Sequence, residues 1–164
     1  MEKKIKVLLL SKVFPKGHPR VGKPTLFKDK IFIVENLTYP SVWSPDGCKI
    51  HTIRNTSDWI MVSEKINMGK MVLSVRQWSG IPYKSIHDDE IFQLCKIGIQ
   101  KITIANRVSE YQCYVDGLLT DITTIAQNDG LSKQDFIDWF KPYFKKGDML
   151  WNGVIIHFTD FRYQ

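Results

Sequence analysis

Gly47-Cys48-Lys49-Ile50-His51-Thr52-Ile53-Arg54 sets five polar or charged side chains around two large aliphatics, Ile50 and Ile53. In an extended segment successive side chains alternate faces. Ile50, Thr52 and Arg54 then share one face, and Lys49, His51 and Ile53 share the other. Neither face is purely apolar, so this is no ordinary core strand. Two readings stay open. One is a strand that lines a polar cavity or rim. The other is an edge strand whose charges guard against aggregation.

Working outward, the chain has 164 residues, 43% hydrophobic and 12% aromatic, enough for one domain, 1–164, with a real core. The most apolar short run, Val7 to Leu10, is far too short to span a bilayer. Met1-Glu2-Lys3-Lys4 enters that run without a small-residue cleavage pattern, so no signal peptide and a cytoplasmic location are expected. Cys48, Cys95 and Cys113 are odd in number and far apart, which suits reduced thiols. His18, His51, His87 and His157 never pair at ligand spacing, and no CxxC occurs, so no metal or cofactor is expected. Cys48 and His51 are near enough in sequence for a nucleophilic pair, with nothing further to support it. Asp88-Asp89-Glu90 reads as a solvated turn.

Charge is lopsided. Residues 1–54 carry 11 Lys and Arg against 4 Asp and Glu, a balance of +7, so the remainder balances to −1. One reading of this excess is an anionic partner such as RNA, DNA or a nucleotide, and no membrane; the other is that Lys3, Lys4 and Lys6 flank a strand for solubility. Phe14-Pro15-Lys16-Gly17-His18-Pro19-Arg20-Val21-Gly22-Lys23-Pro24 is a loop by its prolines and glycines. Its Lys16, His18, Arg20 and Lys23 make it a candidate phosphate clamp, although the P-loop order is absent. Trp59, Trp78 and Tyr83 are candidates for stacking on a base, with core packing as the competing fate of each.

Along the chain, Lys6 to Ser11 reads as a buried strand. Thr25 reads as the cap of a helix over Leu26 to Asn36, and Leu37 to Gly47 as a loop. Asn36-Leu37-Thr38 matches a glycosylation acceptor, but no secretory signal accompanies it. Trp59 to Lys65 is ambiguous. Met71 to Trp78, Ile91 to Ala105 (bent at Gly98), Tyr111 to Leu119 and Gly153 to Phe158 read as strands of one antiparallel or mixed, curled sheet. Asp121 caps a short helix that Asn128-Asp129-Gly130 breaks. Ser132 caps a second helix, with Phe136, Trp139, Phe140 and Tyr143 as its buried face and Lys145-Lys146-Gly147 at its end. The class is α+β.

The Gly47 to Arg54 stretch resembles the GxKxxTxR motif of ASCH domains in the PUA-like superfamily. Asn128 to Phe136, followed by Trp139-Phe140, resembles the second signature of that family, an acidic residue before a capped helix. Phe14 to Thr25 and Lys49 to Arg54 are similar to runs in ASCH-like proteins of Bacteroidetes and their phages. Asn55 to Val115 matches only in outline, and Leu37 to Asp46 looks like an insertion. The resemblance implies a PUA-like curled mixed β-barrel with flanking helices, and a protein that binds RNA or a modified nucleoside. Among more distant relatives, bacterial N4-acetylcytidine amidohydrolases use a Lys, a Thr and a Glu, which fall on Lys49, Thr52 and Asp129. The acid here is one methylene shorter. In that second reading, Lys49 is the base, Thr52 the nucleophile, Asp129 an orienting or protonating group, and Arg54 a holder of negative charge. Such a Lys49 is expected at a rim, where its loss would leave the fold intact. Because Lys49 and Thr52 alternate on an ideal strand, they meet in one pocket only if the chain turns near Lys49, and Gly47 eases such a turn. A polar network with Arg54 paired to Asp129 competes with catalysis. A third reading is a phage or bacterial interaction protein with neither activity.

Overall fold

The computed structural model describes residues 2–31, 47–56, 58–88, 90–145 and 147–164. The fold is α+β with two sheets. In the first, β1 (Lys4–Leu10) runs parallel to β3 (Met71–Gln77), pairing Lys4 with Met71 through Leu10 with Gln77, and β3 pairs antiparallel with β4 (Phe92–Leu94). In the second, the order is β2 (His51–Asn55), β8 (Leu150–His157), β5 (Gly98–Asn106), β6 (Tyr111–Val115), β7 (Leu118–Thr120), all antiparallel.

The single curled sheet expected from the strand pattern is therefore two, and no closed barrel forms among the described residues. The parallel β1–β3 pair is the reason. Parallel neighbours need a long crossover, and here it carries a helical turn α1 (Phe27–Lys30), β2 and the helix α2 (Trp59–Asn67). That crossover delivers β2 to the other sheet. The ambiguous Trp59 stretch is this helix, with Trp59, Val62 and Ile66 turned inward.

Other bounds shift for local reasons. The apolar run in β1 is not buried throughout: Leu8 and Leu10 are inside, while Ile5 and Val7 face out, as strand alternation requires. Ile91 to Ala105 is two strands separated at residues 95–97, with Gly98 opening the second. A Cβ there would meet the Arg162 guanidinium at 1.9 Å. Asp116-Gly117 is not inside a strand. Both have positive φ, +49° and +82°, and they form the tight turn between β6 and β7.

Thr25 does not cap a long helix. Its hydroxyl donates to the Ser11 carbonyl, and the helical turn begins after Leu26. The rest of that expected helix, the Leu37 to Asp46 insertion and the glycosylation-like triplet lie outside the described residues. Asp121 caps α3 (Ile122–Asn128) by accepting from the Thr123 and Thr124 amides, and Ser132 caps α4 (Lys133–Phe140) through the Asp135 amide. α4 stops at Phe140 and gives way to a 3-10 turn, so Lys145 is not at its end. Tyr143 is exposed rather than buried. Buried side chains of both sheets and of α2, α3 and α4 belong to one apolar cluster.

Candidate functional site

Lys49 is placed by backbone bonds made before β2 begins. Its amide donates to the Lys30 carbonyl at 2.7 Å, and the Ile50 amide donates to the Asn128 carbonyl at 2.8 Å. Gly47 has φ +83°, and a Cβ on it would sit 2.6 Å from the Gln127 carbonyl oxygen. Any other residue would strain the backbone and push α3 away. Gly47 thus lets the chain turn just before Lys49, and both Lys49 and Thr52 line one cavity although ideal alternation would part them.

Asp129 arrives from the opposite side at the end of α3. The Gly130 amide bonds the Gln127 carbonyl and the Leu131 amide the Ala126 carbonyl, with Gly130 at φ +80°. This is the Schellman ending, which needs a residue tolerant of the left-handed conformation after the cap. Asp129 is the cap residue, so helix termination itself fixes where the carboxylate stands.

The Lys49 ammonium donates to Asp129 Oδ1 at 2.7 Å and to the Asp129 backbone carbonyl at 2.9 Å, and lies 4.2 Å from the centre of the Phe27 ring. Lys49 is 1% exposed and Asp129 6%. Lys49 is therefore no rim residue. Burial lowers its pKa against the pull of Asp129, which raises it. Burial works to raise the Asp129 pKa, but Lys49 and His51 outweigh it and the carboxyl is held below its ordinary value.

Arg54 Nη1 donates to the Thr52 hydroxyl at 2.7 Å and to the Ile53 carbonyl at 2.7 Å, and Nη2 donates to the Leu9 carbonyl at 2.8 Å. No ion pair joins Arg54 to Asp129. Instead, Arg54 bridges the two sheets and occupies a lone pair of Thr52, leaving that hydroxyl's proton free to donate.

Lys49, Thr52, Arg54 and Asp129 line a cavity of about 330 Å³ together with Trp78, Tyr83, Trp139, Tyr143 and Trp151. Charged groups meet an aromatic wall, the usual make-up of a small-molecule site. Trp78 and Tyr83 pack ring to ring at 5.4 Å. Tyr83 has φ +63° and is 90% exposed, on a loop at the cavity's edge. No protein family, characterised protein or solved structure matches this chain. The chemistry of the cavity must be read from its own residues.

Several expected contacts lie elsewhere. His51 is fully buried behind Asp129, its Nδ1 3.7 Å from Asp129 Oδ1 and its Nε2 2.7 Å from the Tyr163 hydroxyl. His18 is buried too. Its Nδ1 accepts from the Arg20 amide, so Nε2 donates to the Asp135 carbonyl, and its ring stacks on Phe14 at 4.4 Å. Arg20 pairs with the Asp135 carboxylate and covers the Phe14 ring. Half of the supposed phosphate clamp is thus spent tying the loop to α4, because Asp135 sits where the loop crosses. Lys16 and Lys23 remain exposed. Trp59 packs in the core beneath Lys6 and does not line the cavity. Trp78 does.

Trp151 and Tyr163 carried no legible signal in the sequence, and Tyr143 reads there only as part of a helix's buried face. Trp151 lies in β8, which begins at Leu150 and not at Gly153, where the sequence pattern starts the strand. Among the described residues no cluster of three or more His, Cys, Asp or Glu side chains is placed to hold a metal ion.

Proposed function

We propose that the cavity binds a modified nucleoside, through a polar floor of Lys49, Thr52, Arg54 and Asp129 and an aromatic wall that receives the base. The observation that carries this is the convergence of those four side chains with Trp78 and Trp139 on one cavity of about 330 Å³. Ligand pockets run from roughly 300 to 1,000 Å³, so this one takes a mononucleoside rather than a strand of RNA. The engagement of His18 and Arg20 with Asp135 further weakens the basic loop as an RNA clamp. The same reading places the chain with ASCH domains of the PUA-like superfamily. It is supported by the position of the GxKxxTxR-like stretch on one wall and of the acid preceding α4 on the other.

A second reading, deacylation of N4-acetylcytidine or a similar acylated nucleoside, is favoured by the state of Lys49 and Thr52. Burial enlarges the neutral fraction of Lys49, which takes the Thr52 proton as Thr52 Oγ bonds to the amide carbonyl carbon. The carbonyl oxygen becomes an oxyanion near Arg54. Collapse breaks the C–N bond, and the departing base nitrogen regains the proton from Lys49. Water then hydrolyses the acyl ester on Thr52, giving the acid and free Thr52.

Calorimetric titration of the full chain with cytidine and N4-acetylcytidine tests binding, and chromatography of the incubated nucleoside tests cleavage. Thr52→Ser keeps partial cleavage, Thr52→Val loses it, and both retain binding within a few-fold. Asp129→Glu, which restores the longer acid, is expected to raise turnover. Absence of binding to either nucleoside refutes the proposal; binding without cleavage leaves the site a recognition pocket.

A further inference from the structure

Behind the cavity lies a largely buried group of polar side chains that the proposed function does not use. His51 is fully buried, and Tyr163 reaches it from the segment after β8. The Asn128 side-chain amide donates to the Tyr163 hydroxyl oxygen at 3.0 Å. That oxygen's own proton then has His51 Nε2 as its acceptor, 2.7 Å away. A nitrogen that accepts carries no proton, so the neutral ring bears its hydrogen on Nδ1. Nδ1 has no hydrogen-bond partner and faces Asp129 Oδ1 at 3.7 Å, too long for a hydrogen bond but close for a dipole facing a buried charge.

A neighbouring histidine takes the opposite form. Gln100 Nε2 donates to both Asp116 and the Tyr163 carbonyl, which fixes the orientation of that amide. Its Oε1 accepts from the Tyr163 amide at 2.9 Å, so His157 Nε2, 3.0 Å away, must donate to it. His157 Nδ1 is bare. Gln100 thereby clamps the backbone of Tyr163 on both sides, which fixes the point from which its side chain reaches His51.

We propose that His51 and Tyr163 are positioning residues for Asp129: the Tyr163 hydroxyl holds His51 as the Nδ1–H tautomer, and that N–H aims the carboxylate at Lys49 and the cavity. This rests on Asp129 being a functional group of the cavity. Groups facing Asp129 are Lys49 and His51, with Arg54 and Tyr163 farther off. Lys49 donates to the same oxygen at 2.7 Å, so its hydrogen bond and the Nδ1–H dipole together favour one carboxylate rotamer and leave the second oxygen for a ligand.

The test is nitrogen-15 and carbon-13 NMR on the full chain, with resonances assigned through His51→Gln and His157→Gln. His51 is expected to show a protonated Nδ1 and His157 a protonated Nε2, opposite tautomers in one protein. In Tyr163→Phe, which keeps the ring, the His51 preference is lost and the Asp129 carboxyl titrates at higher pH, because the N–H dipole facing its ionised form no longer stays in place. A protonated Nε2 on His51 in the unaltered protein overturns the proposal, even if Tyr163→Phe does not fold. So does a folded Tyr163→Phe whose Asp129 titration is unmoved. Expected tautomers in a protein that binds no nucleoside would leave the positioning intact and sink the proposed function instead.

Discussion

At the scale of single residues, the buried Lys49–Asp129 pair decides most. Taking two charges out of water is costly, and the loss of one partner strands the other. Lys49→Met is expected to destabilise the protein by about 3–5 kcal/mol, read as a lower urea midpoint. Lys49→Met with Asp129→Asn together is expected to cost less than Lys49→Met by itself. A rim lysine, as the sequence pattern implies, would show neither effect. Loss of activity in Lys49→Met is therefore interpretable only beside the stability of that variant, which makes Thr52→Val the cleaner test of chemistry. Thr52 anchors little beyond the Arg54 contact.

At the scale of elements, the site is held by two glycines and one helix face. Gly130 sits at φ +80° with a would-be Cβ 3.1 Å from Lys49 Cβ. A residue other than Gly in the left-handed region costs roughly 1–2 kcal/mol, and here it also presses on Lys49. Gly130→Ala should lower the thermal midpoint and weaken nucleoside binding together; a change in stability with binding intact would mean that Lys49 tolerates the push. On α4, Trp139 lines the cavity and touches the Phe14, His18 and Phe27 rings. It is half-buried, so Trp139→Ala belongs near the low end of its class, about 3 kcal/mol, with binding lost as well. Trp139→Phe should recover most of the stability.

Over the whole molecule, pH and salt separate the readings. Burial, with a lesser push from His51 and Arg162, lowers the His157 pKa to about 3, against roughly 6.5 in an unfolded chain. Between those values the unfolded state binds the extra proton, so stability falls as pH drops from about 6.5 towards 3. His51 is shifted the same way by burial and adds to the slope. Asp129, held low, loses its contribution only at more acidic pH, below the usual carboxylate range. Denaturation midpoints should therefore fall as pH drops across that range, and His157→Gln should make the fall shallower. Salt addresses the basic loop. Lys16→Glu with Lys23→Glu should leave nucleoside affinity unchanged, because neither side chain lines the cavity. A large drop in affinity, with steep salt dependence in the unaltered protein, would return the loop to the binding surface.

Local chemistry along the chain determined the caps at Asp121 and Ser132, the α+β class and the stretch that carries the site, since capping, periodicity and turn residues act within a few positions. The alternation of Lys49 against Thr52 even showed that the two share a pocket only if the chain turns near Lys49, where Gly47 allows it. Tertiary structure decided what local rules do not reach. Whether β1 pairs with β3 depends on partners some 67 positions apart, and that parallel pairing splits one expected sheet into two. Whether Arg20 meets a phosphate or Asp135 depends on where a loop crosses a helix. Whether Lys49 is a rim cation or a sealed one depends on Phe27 and Asp129 closing around it. Burial is a property of the assembled chain, and burial is what gives these polar residues their charge state and reach.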